Sequence, residues 1–100
     1  MLKKADGLLD FSRSAEELER KVRAFNPWPG TFWEWDGGRL KVHRASVSSG
    51  KKREGERLVH NGLPAVGTSD GLLVLEDVQP AGKKRMDGKS FLAGVRNWTE

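Results

Sequence analysis

The sequence predicts a mainly β domain, a small closed barrel with one helix before its strands and a short one after them. Three observations predict it. Between Gly30 and Val78 the chain breaks into about five short apolar or alternating runs, divided by Asp36-Gly37-Gly38, Asn61-Gly62 and Ser69-Asp70-Gly71, sequences suited to tight hairpin turns. A capped amphipathic pattern precedes these runs and a short apolar pattern follows them. A chain of 100 residues is also too short to cover the edges of an open sheet, so closure is the expected way to remove them. The architecture expected is an OB-fold-like Greek-key β-barrel; an SH3-like barrel has a similar strand count and stays open as the alternative.

The first ten residues read as an extended lead-in with a turn at Asp6-Gly7. Ser14-Ala15-Glu16-Glu17 then fits a capping box, in which the Ser14 hydroxyl accepts from the Glu17 N–H while the Glu17 carboxylate reaches back to the Ser14 N–H. A helix from there puts Ala15, Leu18, Val22 and Phe25 on one stripe. Its outer side pairs Glu16 with Arg20, Glu17 with Lys21 and Glu19 with Arg23, each acid four residues before its base. The helix should stop at Asn26, because proline lacks an N–H and pushes the preceding residue toward extended backbone, so Pro27-Trp28-Pro29-Gly30 must turn. Asn26 would serve that turn, and Trp28 would close the helix against the barrel.

Phe32–Trp35 and Leu40–Val47 form a hairpin about Asp36-Gly37-Gly38, and Ser48–Gly55 reads as a long exposed loop. Arg57–His60 and Pro64–Thr68 pair around Asn61-Gly62, with Pro64 confined to a strand start or a sheet edge. The near-continuous apolar run of Leu72–Val78 suggests a strand buried on both faces. Asp87 can cap a short helix that turns Phe91, Leu92, Val95 and Trp98 inward.

Composition narrows the function classes. There is no cysteine, and His43 and His60 are too isolated for metal-ligand spacing, so no metal is expected. The longest apolar stretch, Leu72–Leu75, is far below the ~20 residues of a membrane span, and no apolar signal core opens the chain, which points to a cytoplasmic protein. The net charge of +4 is unevenly placed: residues 1–38 sum to −1, 39–60 to +5, 61–82 to −3 and 83–100 to +3. Two basic blocks are what an anionic polymer would select, although basic loops that merely keep a small domain soluble give the same composition.

Two longer strings carry a resemblance. Arg23-Ala24-Phe25-Asn26-Pro27-Trp28-Pro29 follows the capped helix, and Gln79-Pro80-Ala81-Gly82-Lys83-Lys84-Arg85-Met86 follows the last long strand. With Asp10-Phe11, Leu40-Lys41-Val42, Ala45-Ser46-Val47 and Ser69-Asp70-Gly71 at the expected places between and before them, the chain from about Lys4 to Trp98 resembles the C-terminal domain of the methionyl-tRNA formyltransferase family. The resemblance implies that residues 1–100 are a single tRNA-binding domain, which would hold initiator methionyl-tRNA while an N-terminal formyltransferase domain formylates its α-amino group during translation initiation. That Rossmann-like domain, which would bind 10-formyltetrahydrofolate and carry the catalytic Asn, His and Asp, has no counterpart here. The chain is therefore expected to be an excised domain that is non-catalytic alone and holds no cofactor, and neither histidine takes a catalytic role.

Phosphate contact is assigned first to Lys83, Lys84 and Arg85, which follow a fixed turn and have only Asp87 as a nearby acid in sequence. Second are Lys41, His43 and Arg44: with Leu40 and Val42 facing the core, period two turns Lys41 and His43 outward. Third are Lys51, Lys52 and Arg53 in the long loop. A solvated-face reading stands beside each assignment. Two other functions remain open: the equivalent domain of a sugar-nucleotide or folate formyltransferase, or an independent single-stranded nucleic-acid module. The last would need Trp33 and Trp35 exposed for base stacking.

Overall fold

The computed structural model describes residues 3–100. A short 3-10 helix at Lys4–Gly7 is followed by helix α1 (Ala15–Ala24) and strands β1 (Thr31–Trp35), β2 (Gly38–Ser48), β3 (Arg57–His60), β4 (Leu63–Gly67) and β5 (Leu72–Pro80). A two-residue strand β6 (Met86–Asp87) and helix α2 (Gly88–Gly94) complete the chain.

Every strand pair is antiparallel, in the order β1-β2-β5-β4-β3, with β6 alongside β5. The expected OB-fold-like Greek-key β-barrel is not formed: no ladder joins β1 to β3 among the described residues, and the domain is a mixed α/β unit on an open six-stranded sheet. The physical reason lies at the two free edges, which the chain covers without closing. On the outer side of β1, Leu8 bridges Phe32 and the Leu9 N–H donates to the Phe32 carbonyl at 2.8 Å. At β3, the Trp98 indole N–H donates to the Leu58 carbonyl at 2.8 Å, and Arg57 donates to the carbonyls of Trp98 and Glu100. Covered edges and paired edges demand the same alternation inside each strand, so the pattern could not separate them.

The core explains the placement of the elements. Leu72, Leu73, Val74 and Leu75 are all buried, with α1 packed against β2 and β5, and α2 against β4 and β5. Helix α2 can sit this close because Gly88 has no side chain: a Cβ there would fall on the Leu75 carbonyl oxygen and 2.8 Å from Pro64 Cδ. Pairing between β4 and β5 runs only from Ala65, so the missing N–H of Pro64 interrupts no bond in that ladder. Phe11, Trp33, Trp35, Phe91 and Trp98 form a connected aromatic cluster, with neighbouring ring centroids 5.1–6.1 Å apart.

Local departures have local causes. The lead-in is a 3-10 turn where an extended segment was expected. Ser14 does accept from the Glu17 N–H at 3.2 Å, but the reciprocal contact is from the Ser14 hydroxyl to the Glu17 carboxylate, 3.4 Å, and not to the backbone. The Glu16–Arg20 and Glu19–Arg23 pairs form, at 4.0 and 2.7 Å. The Glu17–Lys21 pair does not, because Lys21 Nζ donates to the Leu8 carbonyl at 3.0 Å and lies over the Phe25 ring, while Glu17 takes Arg13. Helix α1 ends two residues before Asn26, and the Gly30 N–H closes the following turn onto the Phe25 carbonyl at 2.7 Å. Trp28, expected to be packed, is 55% exposed at the tip of that turn.

Candidate nucleic-acid interface

The β2–β5 ladder brings the first two basic blocks together. Lys41 pairs with Gln79 across the ladder and is exposed, while its neighbours Leu40 and Val42 are buried, as the strand alternation requires. His43 is half-buried, and its Nε2 lies 2.9 Å from Gln79 Oε1. The Gln79 amide nitrogen then donates to the Lys83 carbonyl at 3.0 Å, and the Lys83 N–H donates to the Pro80 carbonyl at 3.0 Å. One glutamine side chain therefore ties strand β2 to the turn that carries the lysines. Because its amide nitrogen donates, its oxygen is the acceptor for His43, which places a proton on His43 Nε2.

Two residues back along β5 from Gln79, Asp77 gathers the two arginines. Arg44 Nε and Arg85 Nη2 both lie 3.1 Å from Asp77 Oδ2. Register irregularities flank Arg44, which turns it toward Asp77 and out of the strict alternation of the strand. Burial pushes the Asp77 carboxyl upward, but the hydrogen bonds and charges of Arg44 and Arg85 outweigh it and hold the group below the usual aspartate range. The acid that meets this block is thus Asp77, which is distant from Arg44 in sequence, and not the sequence neighbour Asp87. Asp87 caps α2 as expected, accepting from the Ser90 N–H at 2.7 Å, and that bond lowers its carboxyl. Among the described residues, Lys41, Lys83 and Lys84 have no acidic partner.

The third block lies elsewhere. Lys51, Lys52 and Arg53 are exposed in the loop after β2, and they line a hollow with Ser69 and Asp70 at the beginning of β5. Lys83 lies beyond the other end of that strand, Pro80, which is itself eight residues past Leu72, or about 26 Å along an extended chain. The structure therefore assembles Lys41, His43, Arg44, Lys83 and Arg85, with Lys84 on the same exposed turn, and leaves Lys51–Arg53 apart.

Two residues of this region were not singled out in the sequence. Gln79 was read only as part of a motif, since nothing in a sequence shows which side chain an amide will bridge. Arg39 stands just after the Gly37-Gly38 turn, 50% exposed, with its guanidinium carbon 4.1 Å from the Phe32 ring centroid and Glu34 at 3.8 Å. Arg39, Lys41 and Gln79 border a shallow groove with Pro80, Ala81 and Gly82. Trp33 and Trp35 are half-buried and packed against the core, turned into the aromatic cluster and not onto this face.

Among the described residues no group of three or more His, Cys, Asp or Glu is placed to hold a metal ion. No helix among them is long and apolar enough to cross a membrane.

Residues 1–96 match the formyl transferase, C-terminal domain family. The chain is 43% identical over 98 residues to the methionyl-tRNA formyltransferase of Symbiobacterium thermophilum, covering 93% of this chain and 30% of that protein. It is 45% identical over 96 residues to the methionyl-tRNA formyltransferase of Myxococcus xanthus, covering 94% and 30%. The chain thus spans about a third of the length of such relatives. Among solved structures, HypX from Aquifex aeolicus in complex with tetrahydrofolic acid superposes with a TM-score of 0.73 at 18% identity, over 93% of this chain and 17% of that one, a likeness of fold alone.

Proposed function

The chain belongs to the formyl transferase C-terminal domain family, and from that membership we propose that it is the tRNA-binding domain of a methionyl-tRNA formyltransferase. It positions initiator methionyl-tRNA in the cytoplasm so that a preceding catalytic domain, which would bind 10-formyltetrahydrofolate, formylates the α-amino group during translation initiation. Residues 1–100 act as one domain in this reading, and they supply binding and orientation, not chemistry.

The observation that carries the reading is the cation cluster on the β2–β5 ladder. Lys41 and Arg44 come from one sequence block and Lys83 and Arg85 from another about forty residues on, yet the β2–β5 ladder brings the two together: Asp77 binds Arg44 and Arg85, and Gln79, opposite Lys41, binds the Lys83 backbone carbonyl. Double-helical RNA is read mainly through its backbone and shape, because the deep, narrow major groove hides base edges from side chains. Ordered cations with free ammonium groups suit that task, and each phosphate they neutralise releases a counterion. The inward turn of Trp33 and Trp35 weighs against an independent module that stacks bases along a strand.

The test is a tRNA titration at several salt concentrations. Binding is expected to be micromolar or weaker at physiological salt, with affinity falling steeply as salt rises. Lys83→Ala with Lys84→Ala should make the dependence of log affinity on log salt shallower by about 2, one for each phosphate contact removed. Lys51→Ala with Lys52→Ala should weaken binding less. Equal affinity at low and high salt overturns the electrostatic mechanism, and the reverse order of the two double variants moves the contact to the long loop.

A further inference from the structure

Trp28 takes no part in the RNA-binding reading, yet it is the largest exposed apolar side chain among the described residues, 55% accessible. It stands on a turn that the fold holds firmly. The Gly30 N–H closes that turn on the Phe25 carbonyl at 2.7 Å, and Pro27 and Pro29 fix their own φ angles on either side of Trp28. Thr31, directly after the turn, is buried, and its hydroxyl donates to the Val42 carbonyl at 2.9 Å. The lead-in lies against the same turn: a Cβ on Gly7 would overlap the Gly30 carbonyl oxygen, so only glycine allows the approach. Leu8, the next residue, is 49% exposed. Lys21 links it to half-buried Phe25, donating to the Leu8 carbonyl at 3.0 Å while lying over the Phe25 ring. Leu8, Phe25 and Trp28 thus surround the contact between Gly7 and Gly30.

We propose that this apolar patch seats the preceding catalytic domain, which docks on Trp28 and Leu8 and so fixes the direction in which the cation cluster is presented. The inference rests on the reading above that such a domain precedes this one, and adds to it the surface that joins the two.

Charge and tethering select this occupant. Residues 3–10 carry two lysines and two aspartates, and residues 15–30 three acids and three bases, so the patch has neutral surroundings where the β2–β5 face is basic. Lys21 is engaged by the Leu8 carbonyl and Arg23 by Glu19 at 2.7 Å. An RNA backbone finds little to hold it there. A second copy is also poorly served: a stable free dimer buries ~800 Å² per partner, and one tryptophan supplies ~150–250 Å² even when wholly covered. A tethered partner needs less area, because a short linker keeps it at about millimolar effective concentration. The matched family is that of a C-terminal domain, and the chain spans about a third of its relatives' length. The tether therefore enters through the lead-in, where Lys3 is only ~14 Å of extended chain from Gly7. An aromatic anchor on an already ordered turn suits a partner arriving at that point, since no loop has to be fixed on docking.

The test is hydroxyl-radical footprinting read by mass spectrometry, on the 100-residue chain and on the full chain in which it follows the catalytic domain, each with and without tRNA. Oxidation of Trp28 is expected to be about fivefold slower in the full chain, the change from 55% exposure to about a tenth, and tRNA should leave it unaltered in both. Trp28→Ser and Leu8→Ser should each keep the Tm and the salt-dependent tRNA affinity of the 100-residue chain close to native. In the full chain each should raise the radius of gyration measured by X-ray scattering and lower kcat/KM for formylation about tenfold, as misplaced reactants require. Equal oxidation of Trp28 in the two chains would overturn the proposal. So would protection of the 100-residue chain by tRNA, which gives the patch to RNA, or protection that grows with its own concentration, which gives it to a second copy. If tRNA binds with steep salt dependence while Trp28 stays open in the full chain, the docking surface fails and the RNA-binding function stands. If the catalytic domain protects Trp28 but tRNA does not bind, the docking surface stands and the RNA-binding reading falls.

Discussion

Asp77 carries two arginines on one carboxylate oxygen, and its protonation is the residue-scale event with the clearest consequence. The arginine side chains are 62% and 51% exposed and that of Asp77 is 19% exposed, so solvent screens the gain and it belongs to the surface scale of ion pairs. Its direction is nevertheless fixed. A carboxyl held below its unfolded value of about 3.9 contributes stability that is full above that value and is lost as pH falls through the lowered folded value. Asp77→Asn resembles the protonated state, so its denaturation midpoint should lie below that of the native chain at pH 7, with the gap closing as pH falls below about 4. A gap that stays constant down to pH 2.5 would assign the effect to packing. Gln79 gives a second residue-scale prediction: Gln79→Ala removes no charge, yet loosens the lysine turn, and should weaken tRNA binding by roughly two- to tenfold, the worth of one or so net hydrogen bonds. An unchanged affinity would show that the lysines need no fixed turn.

At the scale of elements, helix α1 depends on its first turn. Ser14 is its N-cap, and the covered lead-in, the Ala15 N–H bond to the Asp70 carbonyl and the buried stripe of Ala15, Leu18 and Val22 all follow from where that cap begins the helix. Ser14→Ala should lower stability by about 1 kcal/mol, read as a shift of some 4–8 °C in Tm, while Ser14→Asp or Ser14→Asn should restore most of it. No loss in the alanine variant would mean that packing alone fixes the helix start. The capped start and the buried stripe were legible because both depend on neighbours within four residues. The same locality explains the misreadings. Lys21 preferred the Leu8 carbonyl, thirteen residues away, to its i−4 acid, and Trp28 was left outside when the helix stopped early. The basic blocks were visible as charge, but their convergence was not, because it depends on the β2–β5 register and on Gln79 and Asp77, which act across the sheet.

For the whole molecule, the decisive feature is that an open sheet is finished by its own termini. Strand alternation and turn residues specify which residues face inward, as at Leu40 and Val42, up to the irregularity at Arg44 that breaks the alternation of β2. They are silent on whether the last strand meets the first or both meet something else. Here the answer rests largely on Trp98, which is 3% exposed, touches Trp33, Trp35 and Phe91, and bonds to the β3 edge at Leu58. Trp98→Ala should therefore cost about 3–5 kcal/mol, a large share of the 5–15 kcal/mol that holds a domain folded. Trp98→Phe keeps most of the volume but leaves the Leu58 carbonyl without its donor, and should cost about 1–3 kcal/mol. Hydrogen exchange should locate the damage, with protection lost first along β3 and last along β2 and β5. Because the cation cluster sits on the β2–β5 ladder, tRNA affinity of the folded phenylalanine variant should match that of the native chain. A phenylalanine variant that keeps its stability but loses RNA would reverse the assignment, making the C-terminal tail part of the binding surface instead of the cover of an edge.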